Sequence, residues 1–385
     1  MAGKNRLIIR NFAQIAEVDI DFGDLTVLVG AQGTGKSLAL QWLKTAMDGR
    51  RIVGLLRDAG QHPESQEEFI DLIFGVGMGK AWRSDSEVIV QKKFQKNKIK
   101  PKTIARYGGN EEQVFFIPAH RSTLISDGWA VPFQRLNSDT PVVARIFSQN
   151  LFESFSKSRA DKLFPITGQL KEEYRKLIDD AVFHGGTIAL EQDQQQAKRL
   201  KLTHGDAKLP FMTWTAGQRE FTPLLLGLYR LLPRTKVRKD NDIDWVIVEE
   251  PEMGLHPQAL TVFLLLVLEL LWRGYRVAVS THSPHVLTAV WMLRRLKEHK
   301  ARWQLVCDAF GVSKGPQIQK VAESALKKSY KVYFMEFGDD GKVRSQDISN
   351  LDPDADSEGE AGWGGLTGFS SQFGDAVRTA VNERG

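Results

Sequence analysis

Runs of consecutive apolar residues, each closed by a glycine or by polar residues, recur along this chain. Three of them are L-T-V-L-V before Gly30, W-V-I-V before Glu249 and V-A-V before Ser280. Uninterrupted apolar runs predict strands that are buried on both faces of a parallel sheet. Apolar residues at helical spacing occupy 38–47 and 221–232 and predict helices there. Strands that alternate with helices in this way predict an α/β fold.

The same pattern divides the chain into segments of different character. Core signals occupy 1–122, with a basic insertion at about 50–112, and they return in 213–310. Residues 123–212 predict a mixed, mainly helical lobe with two extended runs near 186–190 and 198–211, and 311–385 predict a C-terminal extension with an acidic loop. No heptad repeat is sustained, so we expect no long coiled coil. The prediction is a single domain over 1–385, with a mostly parallel core sheet, an antiparallel β lobe and the helical lobe.

The loop after the first of these strands has the sequence G-A-Q-G-T-G-K-S, which satisfies the phosphate-loop pattern G-x-x-x-x-G-K-[ST]. Glycines let backbone N–H groups curl around an anion, and the following helix adds the dipole of its N-terminus. Lys36 can reach the β- and γ-phosphates, and Ser37 can ligate Mg²⁺. The predicted nucleotide-binding residues of this loop are Gly30, Ala31, Gln32, Gly33, Thr34, Gly35, Lys36 and Ser37.

Two adjacent carboxylates, Glu249 and Glu250, end the strand W-V-I-V. Ionised neighbours repel each other, so the pair is favoured where a cation such as Mg²⁺ lies beside it. His282 follows the strand that ends at Ser280. Ligands gather at the carboxyl ends of the strands in an open α/β sheet. We therefore expect these side chains to share one site with the phosphate loop.

A turn of small residues, T-A-G-Q at 215–218, precedes the helix predicted at 221–232. The N-terminus of a helix is a natural site for an anion. Taken alone, the segment also fits an ordinary capped helix in which Thr215 is the N-cap.

In this order, the motifs resemble those of ABC-type ATPases of the SMC-like branch. They are most similar to the ATPase domain of the OLD (overcoming lysogenization defect) family and to related phage-defence ATPases. The motifs are G-A-Q-G-T-G-K-S, T-A-G-Q-R-E, V-I-V-E-E-P-E-M-G-L-H-P and S-T-H-S-P, supported by I-P-A-H-R at 117–121 and K-V-Y-F-M-E-F at 331–337. The resemblance implies an ABC-type P-loop fold, ATP and Mg²⁺ as ligands, and hydrolysis of ATP to ADP and phosphate.

The resemblance also implies roles for single residues. Lys36 and Ser37 match the Walker A lysine and the metal-binding hydroxyl. Glu249 matches the Walker B acid, Glu250 the glutamate that activates water, and His282 the switch histidine. The signature motif is matched by Thr215, Ala216, Gly217 and Gln218, and the D-loop by 253–257. The Q-loop glutamine has no single counterpart, and the candidates are Gln113, His120 and Arg121.

Composition narrows the setting in which such an ATPase works. The single cysteine, Cys307, excludes an intramolecular disulfide and fits a reducing cytoplasm. The first residues lack the apolar region of a signal peptide. The richest apolar run, 260–272, is too short to span a bilayer. We therefore expect a cytoplasmic protein without a membrane partner.

Charge is distributed unevenly along the chain. Residues 80–106 hold nine Lys/Arg against two acids, whereas 339–360 hold eight acids against two bases. The basic segment fits a β-ribbon that meets nucleic-acid phosphates, or equally an edge strand guarded by lysines. The acidic segment is rich in Asp, Ser and Gly, and its composition predicts a loop.

The resemblance implies a homodimer or higher homo-oligomer whose ATP sites form between subunits. No metal-binding motif of the Toprim nuclease type is visible after His282. The favoured hypothesis is therefore an ATPase that controls a separate effector, a nuclease or toxin, in a prokaryotic antiviral defence system. The alternative is an SMC-like ATPase of DNA repair or maintenance that binds DNA through 80–106.

Overall fold

A computed structural model gives the structure of residues 4–93, 95–157, 162–192, 197–233, 239, 242–367 and 373. The strands are β1 Lys4–Phe12, β2 Ile15–Asp21, β3 Leu25–Gly30, β4 Trp82–Lys93, β5 Gln95–Ile99, β6 Val114–Ile117, β7 Ile125–Ser126, β8 Trp129–Ala130, β9 Lys162–Phe164, β10 Thr187–Gln192, β11 Lys198–His204, β12 Ala207–Pro210, β13 Trp245–Glu249, β14 Arg276–Ser280, β15 Tyr330–Phe337 and β16 Val343–Asp347. The helices are α1 Lys36–Met47, α2 Gly49–Asp58, α3 Gln66–Phe74, α4 Val142–Lys157, α5 Glu172–Ile178, α6 Ala216–Leu231, α7 Pro257–Arg273, α8 Pro284–Glu298, α9 Gln304–Phe310, α10 Pro316–Ala325 and α11 Glu358–Ala361.

One large sheet organises the described residues, with the strand order β5-β4-β1-β2-β16-β15-β3-β14-β13-β6. The strands β15, β3, β14, β13 and β6 run parallel to one another. The strands β1, β2, β4 and β5 pair antiparallel and continue the same sheet. The predicted α/β fold with a mostly parallel core and an antiparallel part is confirmed.

The core strands are covered on both faces, which explains their uninterrupted apolar sequences. In β13, Val246 and Val248 join the core cluster on one side of the sheet, while Trp245 and Ile247 join the cluster on the other. The first side includes residues of α6 and α7, and the second includes residues of α1. This alternation decides on which face each functional side chain at a strand end lies.

Residues 123–212 contain α4 and α5, and the two predicted extended runs form β10, β11 and β12 of the antiparallel sheet β12-β11-β10-β9. One segment outside the core differs from expectation. The acidic stretch 339–360 was expected to be a loop, yet it contributes β16, which pairs with β15. Alternating polar side chains suit a strand with one solvated face, so composition alone misjudged this stretch. The end of the expected C-terminal extension, 368–372 and 374–385, lies outside the described residues.

The apolar run at 260–272 forms most of the 17-residue helix α7, which is largely buried. Its only ionised residue before the last turn, Glu269, accepts hydrogen bonds from Tyr174 and Arg273. Among the described residues, none of the helices combines the length and the apolar content needed to cross a membrane.

Candidate active site

The phosphate loop connects β3 to α1 in a conformation that requires glycine at its first position. Gly30 has a φ of 145°, and a Cβ atom there would lie 2.1 Å from the carbonyl oxygen of Met335 in the neighbouring strand β15. No side chain fits into that space, because real Cβ contacts are never so short. Gly30 therefore lets the loop leave the sheet next to β15.

Lys36 begins α1, and its side chain turns back into the loop. Its Nζ atom donates hydrogen bonds to the carbonyl oxygens of Gly30 (2.8 Å) and Ala31 (2.9 Å). Burial lowers the pKa of Lys36 to about 8, although the nearby carboxylates of Glu250 and Glu252 oppose this shift. An ammonium group held in this way is well suited to receive a phosphate, because it is already partly desolvated.

Glu249 is the last residue of β13, and the alternation along the strand places it on the α1 face with Trp245 and Ile247. It is almost completely buried, and burial raises the pKa of its carboxyl to about 7. Hydrogen bonds from the Ser37 hydroxyl and from the Ala119 amide oppose the rise.

The Glu249 Oε1 atom is buried, and no hydrogen-bond partner for it lies among the described residues. A buried carboxylate oxygen without a partner is costly, and a cation beside it would remove the cost. Mg²⁺ prefers oxygen ligands and is usually held by one or two protein oxygens together with substrate phosphates. The paired Glu249 and Ser37 fit this ion.

Glu250 and His282 contact each other just beyond the ends of β13 and β14. The distance between His282 Nε2 and Glu250 Oε1 is 3.3 Å, and both side chains are about one-third exposed. Glu250 has a φ of 39°, a left-handed conformation that costs a non-glycine residue about 1–3 kcal/mol. Its amide donates to the Ser280 carbonyl oxygen at 2.9 Å, which ties the turn to β14. The two strand ends thus present a carboxylate and an imidazole side by side.

Glu252 is part of this arrangement, although no pattern in the sequence singles it out. Its Oε1 atom accepts hydrogen bonds from the Thr281 hydroxyl (2.8 Å) and from the His282 amide (2.5 Å). Its Oε2 atom is buried and has no partner among the described residues. Glu252 therefore holds the loop that carries His282. The only signal in the sequence is a third carboxylate in E-E-P-E, which does not show where it points.

The T-A-G-Q segment forms the first turn of α6. Thr215 is the N-cap, and it forms a capping box with Gln218. A Cβ atom on Gly217 would lie 2.9 Å from the carbonyl oxygen of Gly254, so the start of α6 lies directly against 253–257. Thr215 and Ala216 are exposed. The N-terminus of α6 is therefore exposed on the surface of the protein.

The three Q-loop candidates lie in different places. Gln113 precedes β6 at the amino ends of the strands, where its side chain accepts a hydrogen bond from Lys92. Arg121 is fully buried among backbone carbonyls. His120 is exposed and follows Ala119, whose amide contacts Glu249 Oε2 at 3.2 Å. Of the three, His120 is the one whose side chain is exposed at the carboxyl ends of the strands, where the phosphate loop lies.

The described residues contain no cluster of three or more His, Cys, Asp or Glu side chains that could hold a metal by itself. A cavity of about 600 Å³ lies elsewhere, between α4 and α6, and is lined by Phe115, Leu151 and Arg230 among others.

Comparison with known proteins gives one family. The family described as "AAA ATPase domain" matches residues 80–287, which is more than half of the chain. The match includes the strands that carry Glu249, Glu250 and His282, and it begins after the phosphate loop. No curated protein matches this chain.

Solved structures of SMC head domains are also similar. The head domain from Thermotoga maritima gives a TM-score of 0.38 at 12% identity, covering 90% of this chain and 98% of that one. A head bound to the C-winged helix domain of ScpA gives a TM-score of 0.41 at 12% identity, covering 90% and 97%. A head with an extended coiled coil, bound to the C-terminal domain of ScpA derived from Pyrococcus furiosus, gives 0.38 at 11% identity, covering 90% and 96%.

Proposed function

The chain belongs to the AAA ATPase domain family, and from this premise we propose that it binds Mg·ATP and hydrolyses it between two copies of itself. The observation that carries the proposal is the convergence of three features at one edge of the sheet. These are the partly desolvated Lys36, the buried Oε1 of Glu249, which has no partner within the described part of the chain, and the Glu250–His282 contact. They lie at the carboxyl ends of parallel strands, where open α/β sheets bind their ligands.

In this proposal each of these residues has a separate role. Lys36 and the glycine-rich loop bind the β- and γ-phosphates, and Glu249 and Ser37 hold Mg²⁺, which neutralises phosphate charge when it is bound. Glu250 accepts the proton of the attacking water as general base. His282, in contact with Glu250, orients that water and the γ-phosphate. General-base catalysis of this kind contributes about 10²–10⁴-fold to the rate.

We infer a second copy because, among the described residues, no hydrogen bond joins the α6 N-terminus to the phosphate loop of its own chain. In the first turn of α6, Gln218 donates a hydrogen bond to the Val182 carbonyl oxygen and forms the capping box with Thr215. Gly217 lies against the Gly254 carbonyl. The exposed Thr215 and Ala216 are free to approach a phosphate bound by a partner. The helix dipole and free N–H groups then complete the partner's site.

The decisive test compares wild-type protein with Glu250→Gln. The variant should bind ATP and dimerise, yet release phosphate about 10²–10⁴-fold more slowly. ATP binding, light-scattering mass and phosphate release are measured on the same preparations. Glu111→Gln, which removes a charge from an exposed loop, serves as the control and should behave like wild type. Full turnover by Glu250→Gln would refute the assignment.

The biological role that fits best is control of a separate effector in antiviral defence, by an ATPase of the OLD type acting in the cytoplasm. The support is the resemblance of the motifs together with the lack of a second catalytic metal cluster among the described residues. The test is to co-express the chain with the products of the neighbouring genes. A nuclease or toxin whose activity changes between wild-type and Glu250→Gln protein supports this role. No effect of ATPase state on any neighbour would contradict it.

Direct binding of DNA is the second candidate, and the surface of β5 favours it. This strand is the terminal strand of the large sheet, and its residues 95–98 are exposed. Lys96, Lys100 and Lys102 are exposed, and no ion pair of theirs lies within the described part of the chain. Exposed lysines on a terminal strand and just after it can contact successive phosphates of a nucleic-acid backbone.

The test of this candidate must leave the structural lysines intact. Lys92 contacts Gln113 and Asp244, and Lys98 pairs with Glu87. Neutralising Lys96, Lys100 and Lys102 should therefore weaken DNA binding and reduce its salt dependence without loss of stability. Equal binding by the triple variant and wild type would exclude this surface.

A further inference from the structure

Arg121 belongs to the I-P-A-H-R segment, and the proposed reaction does not use it. Its side chain is fully buried, and its guanidinium binds backbone carbonyls. Nη1 donates to the carbonyl oxygens of Glu249 (3.2 Å) and Glu250 (3.4 Å), and Nη2 donates to that of Pro251 (3.3 Å). Three consecutive carbonyls therefore converge on one guanidinium, directly behind the carboxylate pair.

The same side chain also binds the helix that begins with T-A-G-Q. Arg121 Nε donates to the Glu220 carbonyl oxygen at 3.0 Å and lies 3.9 Å from Glu220 Oε2. Glu220 is the fifth residue of α6, and its other carboxylate oxygen accepts a hydrogen bond from the Ser122 hydroxyl. Arg121 and Ser122 thus fasten the first turns of α6 to the residues that follow β6.

This contact has a consequence for Glu250, because a left-handed backbone persists only where its surroundings fix it. The amide of Glu250 is fixed by the Ser280 carbonyl, and its own carbonyl is fixed by Arg121. Burial lowers the pKa of Arg121 to about 10, so the guanidinium remains charged at neutral pH. A charged donor binds carbonyls more strongly than a neutral one.

We propose that Arg121 is a positioning residue that couples the α6 N-terminus to Glu250 within one chain. The inference rests on the proposed ATPase function. In the proposed dimer, the α6 N-terminus of each chain completes the partner's site, whereas Glu250 serves its own. One guanidinium therefore connects residues of two different sites. When the α6 N-terminus moves toward a bound phosphate, Arg121 would transmit the movement to the peptide groups of 249–251. These peptide groups set the orientation of the Glu250 side chain.

The informative variant is Arg121→Lys, which keeps the charge but replaces the planar fork of donors by a single ammonium. The lysine ammonium of the variant cannot donate to the carbonyls of Glu249, Glu250 and Pro251 and to that of Glu220 at the same time. ATP affinity should remain that of wild type, because Lys36 and its loop are untouched. The kcat should fall about tenfold to a hundredfold, the usual effect of misplacing a catalytic group by about 1 Å.

Arg145→Met is the matched control. Arg145 is also a buried arginine, but it stacks on Phe133 at 4.0 Å and hydrogen-bonds Gln61, and among the described residues it has no contact with Glu249, Glu250 or Glu252. Its loss should lower stability while leaving the kcat of the folded protein unchanged. A kcat for Arg121→Lys equal to that of wild type would overturn the proposal.

Amide hydrogen exchange supplies a readout that does not depend on hydrolysis. Arg121→Lys should raise exchange in 216–222 and in 249–253 together, and Arg145→Met should raise it in neither. An increase confined to one of the two segments would overturn the coupling. If wild-type protein hydrolysed no ATP, the proposed function would fail. The exchange measurement would still decide whether Arg121 joins the two segments.

Discussion

Replacing Glu249 with glutamine should remove a pH-dependent cost from the stability of the protein. The carboxyl is fully buried, and burial raises its pKa in the folded protein to about 7 from an ordinary value of 4.5. Below pH 4.5 the group is protonated in both states and contributes nothing. As the pH rises, the unfolded chain loses this proton first, so the free energy of unfolding falls. Above pH 7 the full cost is about 3 kcal/mol.

The assay is urea unfolding of wild-type and Glu249→Gln protein at pH 5 and pH 8, without nucleotide or Mg²⁺. Between these two pH values, the wild type should lose about 2.5 kcal/mol more than the variant, because all other titrating groups are shared. Glu111→Gln controls for the loss of one negative charge. The same pH dependence in wild type and Glu249→Gln would refute the reasoning that burial raises this pKa.

Mg·ATP should reverse the order of stability at pH 8. A ligand that binds only the folded state stabilises it in proportion to its affinity. If Glu249 holds Mg²⁺, the wild type gains this stabilisation and the variant loses most of it. The loss of unfolding free energy measured without ligand thus comes from the same buried carboxylate that would bind the cation. An equal gain in both proteins would show that Glu249 is not a metal ligand.

Three further contacts can be tested by substitution. Gly217→Ala places a Cβ atom against the Gly254 carbonyl and should cost about 1–3 kcal/mol in urea unfolding, whereas Gly54→Ala, in open space on α2, should stabilise by about 0.5–1 kcal/mol. Glu252→Ala should lower kcat more than Glu252→Gln, because glutamine still accepts the hydrogen bonds from the His282 loop; equal rates would exclude this role. Lys44→Met removes the ammonium that pairs with the buried carboxylates of Asp48 and Glu112. Thermal and urea unfolding should show that the free energy of unfolding falls by about 3–5 kcal/mol.

Two kinds of feature could be predicted from the sequence. The buried strands β3, β13 and β14 were visible because strands covered on both faces have uninterrupted apolar sequences. The phosphate loop was visible because its chemistry requires glycines and a lysine at fixed spacing. The meeting of Glu249, Glu250 and His282 followed from parallel strands sharing one edge. All of these depend on local pattern or on a general rule of topology.

Contacts between distant segments could not be predicted in this way. Glu252 and Arg121 act through backbone amides and carbonyls, which every residue possesses, so no residue type marks their partners. The Q-loop candidates were indistinguishable in the sequence, because Gln113 and His120 lie at opposite ends of one short strand. The sequence does not show that β6 runs parallel to β13, and this direction decides which end of β6 lies beside the phosphate loop.

The sequence by itself thus determined the class of fold, the phosphate loop and the carboxylates at the end of β13, because each is encoded in neighbouring residues. Only the tertiary structure decided which carboxylate pairs with Ser37, which one contacts His282 and which one fixes the His282 loop. Glu249, Glu250 and Glu252 are chemically identical side chains within four positions. Their difference comes from the face of β13, the left-handed turn at Glu250 and the neighbouring strand β14, and none of these is a property of glutamate.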